Sequence, residues 1–281
     1  MVGVNIKSLI YSLAVGLLRL LWRLKGGRNI TAFGHTLVVT PDTTFPSYRK
    51  LRLPNGGCHS EIVKYADYVQ MHSVCKFVSQ LRTRPVIVDV GAHHGAYAVL
   101  IGHIVRPFGG LVLAVEPNPQ SYRILRSNVR LNNLEDVVIC EQVAVSDSPG
   151  IMNLALDDSQ SQITSHKSNL SITVETITLK LLIDKYEIHS VDLLIIDVEG
   201  AELPVLRGFP WEMTEVKKIF CELHPYAWAD FNYKGEEMRQ FLIAHSFDCY
   251  DMYFQKHTDF DNDAYIGPTL FAQVDSVKCR N

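Results

Sequence analysis

The chain has 281 residues, 47 % of them hydrophobic and 20 % charged, with a net charge of −3. That composition suits one large α/β domain with decorations and a sizeable core, and it excludes a disordered chain. It offers no basic surface for nucleic acid, so neither DNA nor RNA is an expected partner.

The N-terminal region, residues 1–27, contains an apolar and basic helix. From Val4 to Leu24 there is no acid, and Ile6, Leu9, Ile10, Leu13, Leu17, Leu20 and Leu24 share one helical stripe. The apolar run from Ser8 to Leu18 is too short to cross a bilayer alone, and Leu24-Lys25-Gly26-Gly27-Arg28 is a poor cleavage site for a leader. Membrane-surface contact through residues 4–25 is one reading, with Arg19, Arg23, Lys25 and Arg28 at the headgroups. Docking on the protein's own surface or on a second subunit is another, and a spanning helix is the third.

Residues 28–84 predict a small β element and a helix. Short β-prone pieces (Ile30 to Phe33, Thr36 to Val39, Tyr48 to Leu53) alternate with Gly34, Pro41, Pro46 and Pro54, which suits an edge or lid. Glu61 to Leu81 then carries helical periodicity.

The main domain, residues 85–281, begins with PVIVDVGAHHG. Val86 to Val90 reads as a strand buried on both faces; Gly91 and Gly95 allow a tight turn, and a helix follows through Tyr97, Leu100 and Ile104. About twenty residues on, the run Leu111 to Val115 ends in Glu116, an acid placed to bind ribose hydroxyls. The turn lacks the central glycine of G-x-G-x-x-G, which argues against a pyrophosphate and hence against a nicotinamide-dependent oxidoreductase. An adenosyl ligand without phosphates fits better. A helix after Pro117-Asn118-Pro119, a strand over Val137 to Val145, and β pieces at Ile151 to Leu156 and Ser171 to Thr178 come next. The last two flank a polar loop, Asp157 to Asn169. Strands at Val191 to Asp197 and Lys217 to Leu223 precede a helix (Glu236 to Ala244) and a closing hairpin, Phe247 to Phe254 with Thr269 to Val274, around an acidic loop.

The six cysteines, Cys58, Cys75, Cys140, Cys221, Cys249 and Cys279, form no C-x-x-C pair. Free buried thiols in a reducing, cytoplasmic setting are expected. Asp197, Glu199 and Glu202 surround Gly200, but without a second ligand cluster in sequence no metal is assigned.

Four segments, VDVGAHHG, VEPNPQSYRILRSNVRLNN, AVSDSPG and DLLIIDVEGAELPVLRG followed by IFCELHP, resemble the FkbM family of S-adenosylmethionine-dependent methyltransferases, over about residues 85 to 250. The resemblance implies a Rossmann-like, seven-stranded class I methyltransferase sheet with helices on both faces and the last strand antiparallel. It also implies S-adenosyl-L-methionine as cofactor and O-methylation of a sugar, glycolipid or natural-product hydroxyl. Carried over, Asp89, Gly91, Ala92, His93 and Gly95 match the cofactor turn; Glu116, Pro117 and Asn118 the ribose acid and its neighbours; Gln142 and Ala144 the adenine wall. Asp197, Glu199, Gly200 and Glu202 match the family's D-V-E-G-A-E signature. His224 is the expected base, with Asp197 or Glu199 orienting the acceptor hydroxyl.

Two departures stand out. The family commonly has lysine two residues before the signature aspartate, where this chain has Ile195. After Thr178-Leu179 it usually has an acid pair, where this chain has Lys180 and Leu181. These departures and the N-terminal helix motivate an alternative, a membrane-tethered, non-catalytic binding protein on the same fold.

Overall fold

The computed structural model describes residues 17, 21, 24, 26–43, 70–156, 161–164, 171–251, 255–260 and 267–273. Arg28–Ala32 (β1) and His35–Val39 (β2) form an antiparallel hairpin. Residues 70–78 are helical (α1), within the predicted helix from Glu61; the predicted strand Tyr48 to Leu53 lies outside the described residues.

The main sheet then builds from Val86–Val90 (β3), Leu111–Val115 (β4) and Val138–Glu141 (β5), linked by the helices Ala96–Val105 (α2) and Pro119–Leu131 (α3). The chain returns through Leu193–Ile196 (β11) and Ile219–Leu223 (β13), and finishes with Phe247–Asp251 (β14) and Gly267–Gln273 (β15). The order across the seven strands is β14-β15-β13-β11-β3-β4-β5, and β15 runs antiparallel to both its neighbours. Chain order reverses between β3 and β11, so the crevice beyond their carboxyl ends is the place for a ligand.

Side-chain alternation gives each face its own core. Ile87, Val112, Leu193 and Ile195 face α1, α2, α3 and the β1–β2 hairpin, together with Val74, Val99, Leu125 and Leu37. Val88, Leu113 and Leu194 face the other way, onto Leu182 of Leu179–Lys185 (α4), Leu206 of Glu202–Arg207 (α5) and Leu242 of Gly235–Ala244 (α6). Residues 28–43 therefore share the core of the main sheet. Below β3 the carboxylate of Asp192 accepts a hydrogen bond from the Val86 amide (2.8 Å) and pairs with Lys217 (2.6 Å), which fixes the register of the central strands.

Three expectations change in detail. The strand expected over Val137 to Val145 is two pieces: β5 in the main sheet, and Ala144–Val145 (β6) in a separate four-stranded sheet. That sheet also contains Gly150–Leu156 (β7), Ser161–Thr164 (β8) and Ser171–Ile177 (β9), in the order β6-β9-β7-β8. The segment read as a polar loop, Asp157 to Asn169, thus contains strand β8, a backbone pairing that its polar composition hides. Ser190–Val191 (β10) leaves the fourth main strand to pair with Glu215–Val216 (β12). The cysteines Cys75, Cys140, Cys221 and Cys249 are free thiols. No helix among the described residues is long and apolar enough to cross a membrane.

Candidate active site

The turn after β3 is held from two sides. Gly91 adopts φ +87°, and a Cβ there would lie 1.7 Å from the Asp197 carbonyl oxygen, so the exits of β3 and β11 touch as backbone against backbone. Gly91 and Ala92 donate to the Val115 carbonyl (2.9 and 3.0 Å), and His93 takes a left-handed φ of +48°. Glu116 braces the turn: one carboxylate oxygen accepts from the His93 amide and the other from the Asn118 amide, each at 2.8 Å. Each oxygen keeps a further lone pair for a ligand hydroxyl. Asn118 caps α3 through its side chain, and Pro117 precedes it in the same connection. Gly95, at φ +80°, is the N-cap of α2.

Asp89 lies one step inside this turn. It is 2 % exposed, and its Oδ2 atom meets no hydrogen-bond partner. Burial, and then the Glu116 carboxylate, push its carboxyl up to about 7; burial likewise pushes Glu116 up to about 7 against two backbone hydrogen bonds. The neighbour of Asp89 in β11 is Ile195, side by side with it in the parallel register. Lysine at that position would have stood beside the carboxylate, whereas Ile195 is 1 % exposed and gives Asp89 nothing polar. A buried acceptor without a protein partner, beside a glycine turn and a second carboxylate, fits a cofactor that presents an ammonium group and ribose hydroxyls.

A second cluster occupies the exits of β11 and β13. Glu202, at the start of α5, is 0 % exposed and fully engaged. Its Oε1 accepts from the Gly200 amide (2.9 Å) and lies 2.8 Å from Nδ1 of His224. Its Oε2 accepts from Trp228 Nε1 (2.8 Å) and lies 3.0 Å from the Tyr233 hydroxyl, which also reaches the Gly200 carbonyl at 2.8 Å. The 3₁₀ segment Pro225–Phe231 after β13 brings Trp228 into this arrangement, and Gly200 is required because a Cβ there would meet Ala227 at 2.6 Å.

With Nδ1 committed to Glu202, the imidazole presents Nε2 to three more carboxylates: Glu199 at 3.5 Å, Glu222 at 3.8 Å and Asp197 at 4.0 Å. Burial alone would lower the pKa of His224. The Glu202 hydrogen bond and the surrounding carboxylates outweigh it and raise the group to about 10. Asp197 keeps 42 % of its side-chain surface open to solvent. Its carboxyl stands well above the usual range, chiefly through the enclosing protein and then through Glu222, with His224 opposing. The exposed Tyr226 donates its hydroxyl to Glu199 (2.5 Å) and turns its ring edge-on to His224.

Gln142 and Ala144 follow β5, whose last residue, Glu141, accepts from the Glu116 amide at 3.0 Å. Gln142 is exposed, in a groove between α3 and the edge strand β5 with Tyr122, Arg126 and Cys140. Ala144 packs with Leu154 and Val174 in the core of the small sheet. Lys180 is spent on Asp184 one turn along α4, at 2.5 Å. Trp228, Tyr233 and Tyr226 were not anticipated as site residues; their one sequence signal is a run of aromatics just after the His224-Pro225 strand exit.

The strand order and the glycine turn at the β3 exit together define the class I methyltransferase fold, as the resemblance implied. The methyltransferase FkbM domain matches residues 89–249, more than half of the chain, and the protein belongs to that family of S-adenosylmethionine-dependent methyltransferases. Among curated relatives, methyltransferase sdnD of Sordaria araneosa is 27 % identical over 185 residues, covering 53 % of this chain and 70 % of that protein. Hexuronic acid methyltransferase AglP of Haloferax volcanii is 28 % identical over 141 residues, covering 50 % of this chain and 56 % of that protein. Of solved structures, methyltransferase FkbM from Methylobacillus flagellatus KT aligns over 67 % of this chain and 43 % of its own, at 14 % identity and a TM-score of 0.43. An O-methyltransferase from Bacillus cereus, in complex with SAH, aligns over 79 % and 84 % at 15 % identity and a TM-score of 0.42.

Proposed function

We propose that this protein transfers a methyl group from S-adenosyl-L-methionine to a hydroxyl of a small-molecule or glycan acceptor: a sugar, a glycolipid or a natural product. The observation that supports the reading is the close approach of Gly91 to the Asp197 carbonyl, which brings the glycine turn after β3 against the exit of β11. Asp89, Glu116 and the Gly91 to Gly95 backbone would hold the cofactor, which supplies an activated methyl group on a sulfonium. A hydroxyl is a weak nucleophile, so placing it in line and accepting its proton are the tasks left to the protein.

The electrostatics refine the division of labour. An imidazole held protonated by four carboxylates cannot accept a proton, so His224 in this state orients and Asp197, open to the crevice, accepts. Glu199, tethered by Tyr226, positions the acceptor. The hexuronic acid substrate in the name of AglP supports the sugar end of the range. The direct test is binding of S-adenosylhomocysteine followed by thermal unfolding, then labelled-methyl transfer into glycan and lipid extracts. A rise in Tm that Glu116→Ala removes is expected; no rise in the parent protein would sink the reading.

Membrane-surface contact through the N-terminal helix is a separate part of the proposal. Leu17, Leu21 and Leu24 are helical, spaced on one face and 59 %, 43 % and 76 % exposed, while the first acid in the chain is Asp42. Co-sedimentation with anionic phospholipid vesicles is expected for the full chain and should fall when the three leucines become serines; an unchanged pellet would count against it.

A further inference from the structure

The exits of β11 and β13 do more than line a crevice. We propose that Asp197, Glu199 and the Nε2 atom of His224 form a binding site for one divalent cation of the Mn²⁺ type. Each residue offers a ligand atom, and these atoms lie within 4.8 Å of one another. One ion with bonds of about 2.0–2.2 Å bridges donors up to roughly 4.4 Å apart, so a small side-chain adjustment closes the set. Mixed carboxylate and imidazole donors suit Mn²⁺ better than Ca²⁺ or a thiophilic metal.

Groups outside the three ligands support the assignment. Glu202 fixes the histidine tautomer from behind, so that the ring donates Nδ1–H to a carboxylate and turns Nε2 to the acids, the outer-shell arrangement typical of metal-bound histidine. Glu202 is itself held by Trp228, Tyr233 and the Gly200 amide, so the ring is locked. Glu222, 3.8 Å from Nε2, offers a further oxygen. The open face of Asp197 gives an ion and a hydroxyl a way in. Two like charges about 4 Å apart repel by roughly 4 kcal/mol at an effective dielectric of 20, so carboxylates gathered this closely need positive charge.

The spacing of residues in sequence hides this set for a topological reason. His224 lies on the neighbouring strand exit, and parallel pairing of β11 with β13 brings it alongside. Glu202, read in sequence with the other two acids, stands behind the histidine and not on the ion. The consequence for chemistry rests on the methyl-transfer reading: a hydroxyl bound to the cation loses its proton more readily, with a carboxylate of the cluster receiving it.

Mn²⁺ alone is the probe, titrated into the full chain and followed by the electron paramagnetic resonance signal of free Mn²⁺. The parent should take up one ion per chain; Asp197→Asn and Glu199→Gln should each weaken uptake about tenfold or more, and Glu135→Gln, an exposed acid elsewhere, should not. The S-adenosylhomocysteine shift in Tm, retained in the variants, shows that they are folded; if Asp197→Asn does not fold, Glu199→Gln decides. No stoichiometric uptake by the parent, or uptake indifferent to both substitutions, overturns the site. Mn²⁺ uptake without any cofactor shift would instead remove the methyl-transfer reading and leave the cation site standing.

Discussion

Asp89 shows how one substitution between neighbouring strands changes the electrostatics of a pocket. The carboxylate is buried, one of its oxygens is unpartnered, and the residue beside it in the sheet is Ile195. A carboxyl that titrates near 7 when folded and near 4 when unfolded binds more protons in the native state between those values. The apo protein therefore loses stability as pH rises from about 4 to about 7. Asp89→Asn keeps the shape without the charge; above pH 7 it is expected to gain on the order of 1–2 kcal/mol in urea unfolding while losing the S-adenosylhomocysteine shift. Ile195→Lys should flatten the same pH dependence by supplying a cation. Glu202 predicts the opposite outcome: Glu202→Ala orphans the Trp228 indole N–H and the Gly200 amide, leaves Tyr233 only the Gly200 carbonyl, and should cost about 3 kcal/mol, read from the urea midpoint.

At the scale of elements, the site depends on how connections are tied. Asn128 of α3 reaches both ways, donating to the His94 carbonyl of the cofactor turn (2.8 Å) and accepting from the Thr40 amide after β2 (2.8 Å). Asn132, one turn on, holds the Val38 amide (2.9 Å) and carbonyl (2.6 Å). The β1–β2 hairpin is thus fastened to the helix that follows the ribose acid. Asn128→Ala is expected to cost about 1–3 kcal/mol and to speed hydrogen exchange at Thr40 more than at Val112 in the sheet centre. Exchange rising equally at both sites would argue for global loosening instead. Gly91→Ala, which forces a Cβ into the Asp197 carbonyl at positive φ, should lose on the order of 2 kcal/mol or more and with it cofactor binding.

Across the whole molecule, local patterning fixed the strands and the tertiary structure assigned the chemistry. Five apolar runs, two glycines at a strand exit and an acid at the next are local features, enough to read the central strands of an α/β sheet; the seven-stranded architecture and the family were implied by the resemblance of four motif segments. Backbone preference and burial act over a few residues, so a sequence displays them directly. The division of Val137 to Val145 between two sheets, and the strand inside Asp157 to Asn169, were not legible, because each depends on which distant edge the backbone pairs with. The same holds for the partners of His224: Glu202, Asp197 and Glu199 become its neighbours through the parallel pairing of β11 and β13, and the charge state of the ring follows from that assembly. Sequence alone determined the strand, glycine turn and helix of residues 86–105 and, through its motifs, the family. Only the folded chain decided that the buried Oδ2 of Asp89 meets no hydrogen-bond partner beside Ile195, and that the acids of the signature close on a histidine, because both depend on strands far apart in the chain.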